Sequence, residues 1–282
     1  METYLHTKFY DTINKLLKNN SFASTLIAIS GGQDSLCLTK LVKDFNDKHH
    51  LLPRLTYIYI DHQWRKDSRS QIKHLINIIK KNKQKIIIYQ IKQIVKSEIQ
   101  ARQLRYKILI KHAILNKYST IMTAHTETDK IETFWLQIFK GTSLDGITSL
   151  NKKRKSSSKI CIYRPLLNFT RSEICWFCRK FYLPIWSDIT NYQHTTHRNR
   201  LRNELIPYIN RYFSRNIEKK LIKFIATSSL DNEYIKQNAI KLYLKSRHKI
   251  SVALNFNLLR EQHIALQIRT LQIFFFITQI KH

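Results

Sequence analysis

A chain of 282 residues with 43% apolar content is long enough for one full α/β core plus a smaller appendage, and nothing in it approaches the roughly 20 apolar residues of a membrane span. Its 49 Lys and Arg against 19 Asp and Glu leave a formal charge of +30, which points to a polyanionic partner such as nucleic acid. Part of that charge follows from a Lys-, Ile- and Asn-rich, Gly- and Pro-poor usage typical of A+T-rich organelle and endosymbiont genomes. Four cysteines, Cys37, Cys161, Cys175 and Cys178, make no secreted disulfide framework in a chain this long. A soluble protein of a reducing compartment is expected.

Residues 1–19 read as an amphipathic first helix through Phe9, Ile13, Leu16 and Leu17, with no import signal. The apolar run Leu26–Ile29 then reads as a strand, Ser30–Ser35 (SGGQDS) as a tight polar loop, and Leu36 to Phe45 as a helix. Further strands are expected at Leu55–Ile60, Ile86–Ile91 and Thr120–Ala124, alternating with helices around Ile72–Ile79, over Ile99–Tyr118 and over Lys130–Phe139. Continuous apolar strands separated by helices predict a parallel sheet with helices on both faces. The basic run Asn151–Lys159 (NKKRKSSSK) reads as a surface loop, Ile160–Leu167 as an edge segment, Arg171–Phe181 as a helix and His197–Tyr212 as a second, basic helix. From about Arg215 the pattern is helical with one candidate strand at Ser251–Phe256, so we expect a catalytic domain over 1–213 and a small helical appendage over 214–282.

In a parallel sheet, ligands bind beyond the carboxyl ends of the strands. Three polar constellations fall there: SGGQDS after the first strand, Asp61-His62 after the second, and His125 to Thr133 after the fourth. The glycine usage singles out the first, since only four glycines occur and Gly31 and Gly32 are adjacent. Adjacent glycines let backbone N–H groups turn inward, and the following helix adds its own unpaired N–H groups, which makes a cradle for phosphate. No Lys-Ser or Lys-Thr pair follows, as a P-loop requires, and no third glycine, as a Rossmann fingerprint requires. Cys175 and Cys178 with His194 and His197 imitate a zinc finger, but the histidines are one residue too close, and on a helix the two cysteines are ordinary packing residues.

Ser30–Ser35 matches the SGGxDS signature of the PP-loop ATP pyrophosphatases. The chain further resembles the tRNA(Ile)-lysidine synthetase branch of that superfamily over about residues 22–210. The residues that carry the likeness are Asp61-His62 with Arg65, Ala101–Tyr106, Thr123–His125 with Asp129, Glu132 and Thr133, Gly141 with Leu144 and Gly146, Arg164–Leu167, and Arg198–Arg200 with Pro207. The resemblance implies adenylation of the wobble cytidine of a CAU-anticodon isoleucine tRNA by ATP, then attack of free lysine at C2, releasing pyrophosphate and AMP. It further implies that Ser30, Gly31, Gly32, Gln33, Asp34 and Ser35 hold ATP, that Asp34 holds Mg²⁺, and that Asp34, His125, Asp129 and Arg105 are catalytic. Glu132 either holds the lysine or orients its neighbours, while Arg102, Arg198, Arg200 and Arg202 are candidates for contact with tRNA or nucleotide. Trp64, Trp176 and Trp186 receive no role. The family usually has two adjacent aspartates where this chain has Thr128 and Asp129, which leaves one metal ligand fewer. The alternative is a 2-thiolation enzyme with the same adenylation step and a reactive cysteine at 175 or 178. Small enzymes of this kind in algal plastid genomes place the chain in the plastid stroma, with the mitochondrial matrix and the bacterial cytoplasm as alternatives.

Overall fold

The computed structural model describes residues 2–17, 24–63, 68–91, 97–156, 160–186 and 196–280. Trp64, Arg65 and His194 lie outside them. The chain divides into two compact units, Met1–Thr133 with Leu150–Tyr208, and Phe134–Ser149 with Ile209–His282.

The first unit is built on a six-stranded sheet: β1 (Ser24–Ile29), β2 (Arg54–Asp61), β3 (Lys85–Gln90), β4 (Thr120–Met122), β5 (Lys153–Lys155) and β6 (Cys161–Tyr163). The order is β3-β2-β1-β4-β6-β5, parallel throughout except for β5. Side chains of a strand alternate between faces, and the register aligns them across the sheet. Ile27 is in register with Tyr57 and Met122, and Met122 with Tyr163. All four enter one apolar cluster, with Phe9 of α1 (Tyr4–Leu17), Leu41 and Phe45 of α2 (Gln33–His49), Leu75 and Ile79 of α3 (Ser68–Lys81), and Phe177 of α7 (Arg171–Lys180). The alternate residues Leu26, Ile58, Ile121 and Ile162 enter a second cluster with Leu109 and Ala113 of α4 (Glu98–Leu115). Both faces are therefore covered, which is why the strands read as unbroken apolar runs.

Three local expectations change. The segment around 160–167, expected at an edge, pairs in parallel with β4 as the penultimate strand, and the edge is β5, drawn from the run read as a loop. Its sequence Lys-Arg-Lys is a charged edge of the kind that discourages further strand pairing. The expected single helix over 197–212 is α8 (His197–Arg200), one π turn (Leu201–Leu205) and α9 (Ile206–Tyr212). The candidate strand at 251–256 reduces to an isolated bridge between Arg247 and Leu254.

Helix α5 (Glu127–Ile138) begins in the first unit. The second unit holds α6 (Leu144–Ile147), α10 (Ile217–Ser246), α11 (Phe256–Arg260) and α12 (Ile264–Ile280). A polar knot ties three of its helices: buried Asn232 donates to Asp145 and Thr148 at 3.0 and 2.9 Å, and Arg269 donates to Asp145 and Asn232 at 2.9 Å each. Among the described residues no helix is long and apolar enough to cross a membrane.

Candidate active site

Because β1, β2, β4 and β6 are parallel, the segments leaving their carboxyl ends share one edge of the sheet. These are Ser30–Gly32, Asp61-His62, Thr123–Thr126 and Arg164.

In the first, Gly31 adopts φ +77, while Gly32 caps α2 with φ −73 and ψ 168, a conformation open to any residue. Gly31 alone needs glycine for its backbone. A Cβ on Gly32 would meet only Ser30 Oγ, at 3.6 Å, so its missing side chain leaves space in front of the helix. The loop is tied from behind. Gln71 Nε2 donates to the Ser30 carbonyl at 2.7 Å, Trp186 N–H to Gly31 O at 3.1 Å, and Ser35 Oγ to Gly32 O at 3.0 Å. Ser35 also accepts the Ser30 N–H at 3.2 Å and is buried, so its hydroxyl braces the loop, whereas Ser30 is exposed. The Gln33 side-chain nitrogen is buried without a partner.

Asp34, on the first turn of α2, has its pKa pushed up to about 6, mainly by burial and then by the negative charge of Asp129, against Arg171 and Arg202. Two carboxylates acting on each other in a partly dry site are the donor set that suits a hard divalent cation. The open space before Gly32, the unpaired Gln33 donor and this pair together fit a nucleotide triphosphate with its metal. Asp129 also stabilises the start of α5, since its Oδ2 accepts the Thr126 N–H at 2.8 Å and the Thr126 hydroxyl at 3.3 Å.

His125 bonds elsewhere. An arginine only donates, so the 3.4 Å contact from Arg102 Nη2 makes His125 Nε2 the acceptor, and Nδ1–H then donates to Thr123 Oγ1 at 2.9 Å. Burial lowers its pKa to about 3, with Arg102, Arg164 and Arg105 adding to the effect and Asp129 opposing it. The ring is therefore neutral at physiological pH. Of the two arginines on α4, half-buried Arg102 touches His125 and lies over the Tyr106 ring, while Arg105 is exposed and its charge acts on both His125 and His62. Arg164, almost fully buried, donates to Asn151 O at 2.7 Å and keeps a buried Nε without a partner. It was visible in the sequence only as part of a motif, and Gln71 not at all, because a glutamine that braces a loop carries no spacing signature.

Glu132 is 1% exposed, and its Oε1 takes both Arg202 Nε at 2.9 Å and Nη2 at 2.5 Å. Burial raises its pKa, with Arg202 opposing. Arg202 stands in the π turn, a feature that recurs at functional sites. Arg198, half-buried, acts by charge on Arg102 and Glu132, whereas Arg200 is exposed. Residues four apart on a helix share a face, which is why Arg198 and Arg202 both act on Glu132. Of the cysteines, Cys178 is buried with Sγ 3.6 Å from Gln33 O, and Trp186 touches the loop through its backbone. Among the described residues no cluster of three His, Cys, Asp or Glu side chains suits a metal.

Replacing Arg202 by Leu leaves Glu132 buried and unpaired, at an expected cost of about 3 kcal/mol. Arg202 opposes the burial that raises the Glu132 pKa, so without it the carboxyl holds its proton more tightly still, and the loss grows as pH rises through the parent's folded value and shrinks in acid. Urea midpoints of Arg202→Leu against the parent at about pH 8 and about pH 5 check this, and an equal loss at both would refute it.

The PP-loop domain family matches residues 5–209. The chain is 49% identical over 274 residues, 97% of its own length and 86% of the relative's, to a chloroplastic tRNA(Ile)-lysidine synthase of Gracilaria tenuistipitata var. liui. It is 41% identical to the chloroplastic tRNA(Ile)-lysidine synthase of Pyropia yezoensis over 97% of this chain and 82% of that one. Among solved structures, a U34-tRNA thiolase from Methanococcus maripaludis superposes with a TM-score of 0.58 over 78% of each chain. At 13% identity that likeness carries the fold alone.

Proposed function

Since the chain belongs to the tRNA(Ile)-lysidine synthase family of PP-loop proteins, we propose that it joins free lysine to C2 of the wobble cytidine of a CAU-anticodon isoleucine tRNA at the expense of ATP. The observation that carries this reading is the meeting, at one edge of the sheet, of the phosphate loop, the Asp34–Asp129 pair and the His125–Arg102 contact.

The chemistry takes two steps. Cytidine O2 attacks the α-phosphorus of ATP, the α–β bond breaks, and pyrophosphate leaves with its electron pair. The lysine ε-amine then attacks C2 of the adenylated base, the C2–O2 bond breaks, AMP leaves and the nitrogen gives up its proton. Asp34 would hold Mg²⁺, which when bound would supply charge neutralisation for the triphosphate. The loop N–H groups and the first turn of α2 receive the leaving pyrophosphate. Arg102, Arg105 and Arg198 offset negative charge around the α-phosphate and the tRNA backbone, with Arg200 on the outer, tRNA-facing side. Neutral His125, held by Thr123, holds the Arg102 guanidinium in place through Nε2 and brings no positive charge of its own. Asp129 and Glu132 give the site the acidic character that draws the lysine ammonium. The algal plastid relatives support a location in the plastid stroma.

Incubation with ATP, Mg²⁺, radiolabelled lysine and a CAU-anticodon isoleucine tRNA, followed by digestion to nucleosides, tests the reading. Label in one modified cytidine is expected. Unlabelled tRNA beside an active control enzyme rejects it.

A further inference from the structure

We propose that Gln71 is the positioning residue of the phosphate loop, aiming its N–H groups at the triphosphate through the Ser30 carbonyl; this rests on reading the loop as the ATP site. In a trans peptide the C=O of one residue and the N–H of the next point in opposite directions. Drawing back the carbonyls of Ser30, Gly31 and Gly32 therefore turns the N–H groups of Gly31, Gly32 and Gln33 to the front. The three carbonyls are held by donors from Gln71, Trp186 and Ser35. The Trp186 donor is backbone and the Ser35 donor lies within the loop and helix, so Gln71 is the side chain that reaches in from another element, α3.

Gln71 is suited to the task. It is 5% exposed, and its amide is oriented from the far end because Oε1 accepts the Tyr59 hydroxyl of β2 at 3.0 Å, leaving Nε2 to face Ser30 at 2.7 Å. It brings a donor without bringing a charge to the loop. It also packs under the loop glycine whose backbone is left-handed: the Cβ position of Gly31 lies 3.5 Å from Gln71 Nε2 and 3.4 Å from Leu75 Cδ2. Tyr59, Gln71 and Ser30 thus form a line of hydrogen bonds from the core of the sheet to the loop.

The test measures ATP binding by calorimetry on the whole chain, with tRNA binding as the reference. Gln71→Glu keeps the shape and the acceptor for Tyr59 but removes the donor to Ser30, so the Kd for ATP should rise at least about tenfold at about pH 8 with tRNA affinity within about twofold of the parent. Lowering the pH toward about 6 protonates the new carboxyl, which then donates to Ser30, so the defect relative to the parent at the same pH should shrink. Gln71→Leu has no proton to regain and should show a defect that does not recover. Tyr59→Phe removes one tether of the amide and should weaken ATP binding by about threefold. An ATP Kd for Gln71→Glu within about twofold of the parent overturns the proposal, as does a joint loss of ATP and tRNA binding. Should the Gln71 variants not fold, an unchanged ATP Kd in Tyr59→Phe overturns it instead. A parent chain that fails to bind ATP removes the reading of the loop itself, a different result from either.

Discussion

Asp34→Asn should lower lysidine formation by roughly 10³-fold and at the same time make the ligand-free protein more stable. The two effects share one cause. Asp34 is held at a pKa of about 6 by burial and by Asp129, against an ordinary 3.8, so the folded chain binds its proton more tightly than the unfolded chain does. The stability linked to that carboxyl is whole below the unfolded value and is lost as pH rises through about 6. At 1.36 kcal/mol per unit, the ionised carboxylate costs up to about 3 kcal/mol near pH 8, and the amide escapes that cost. Urea unfolding of Asp34→Asn should therefore show a gain near pH 8 that fades as pH approaches about 4. Turnover should be lost because an amide cannot hold the cation with a full charge, while tRNA binding persists. In the parent, the same titration gives an acid limb on turnover near pH 6, which Asp129→Asn should move to lower pH by removing the like charge. An Asp34→Asn protein that turns over normally would remove the carboxylate from the mechanism, and one that is destabilised near pH 8 would remove the account of its burial.

The adjacent glycines should separate backbone need from ligand need. Gly31→Ala forces a Cβ into a left-handed conformation and against Leu75, for about 1–2 kcal/mol of strain and a displaced loop, so stability and ATP affinity fall together. Gly32→Ala meets an ordinary backbone conformation and a nearest atom at 3.6 Å, so thermal unfolding should be unchanged or slightly raised. Its ATP affinity should nevertheless fall at least about tenfold, because the methyl group takes space the phosphates need. Scanning calorimetry and ATP titration of both variants check the contrast. Equal ATP affinity in Gly32→Ala and the parent would show that the phosphates lie elsewhere.

The loop was legible in the sequence because its signal is local: two of four glycines side by side between an apolar run and a helical pattern. The sheet was legible because burial on both faces erases polar alternation, leaving continuous apolar strands. Less local features were not. Lys153–Lys155 carries no apolar signal, since an edge strand can hold its place by backbone pairing with β6 alone. The π turn at Leu201–Leu205 depends on one extra residue of helical winding, which hydrophobic period does not register over so short a span. That Arg102 contacts His125 was not legible either, because two arginines three apart on one helix are told apart only by how the helix is rotated against the sheet.

The sequence by itself determined the fold class, the phosphate loop and the identity of the charged groups near it, since these follow from composition and near-neighbour spacing. Tertiary structure decided what those groups do to one another. Asp34 and Asp129, far apart in the chain, raise the energy of a shared negative charge only because parallel pairing of β1 with β4 brings α2 and α5 to the same edge. His125 is neutral only because the fold buries it among arginines, and Gln71 acquires a role only because α3 passes beneath Ser30. Interactions through space depend on distance and on the loss of water, and neither is written in residue order.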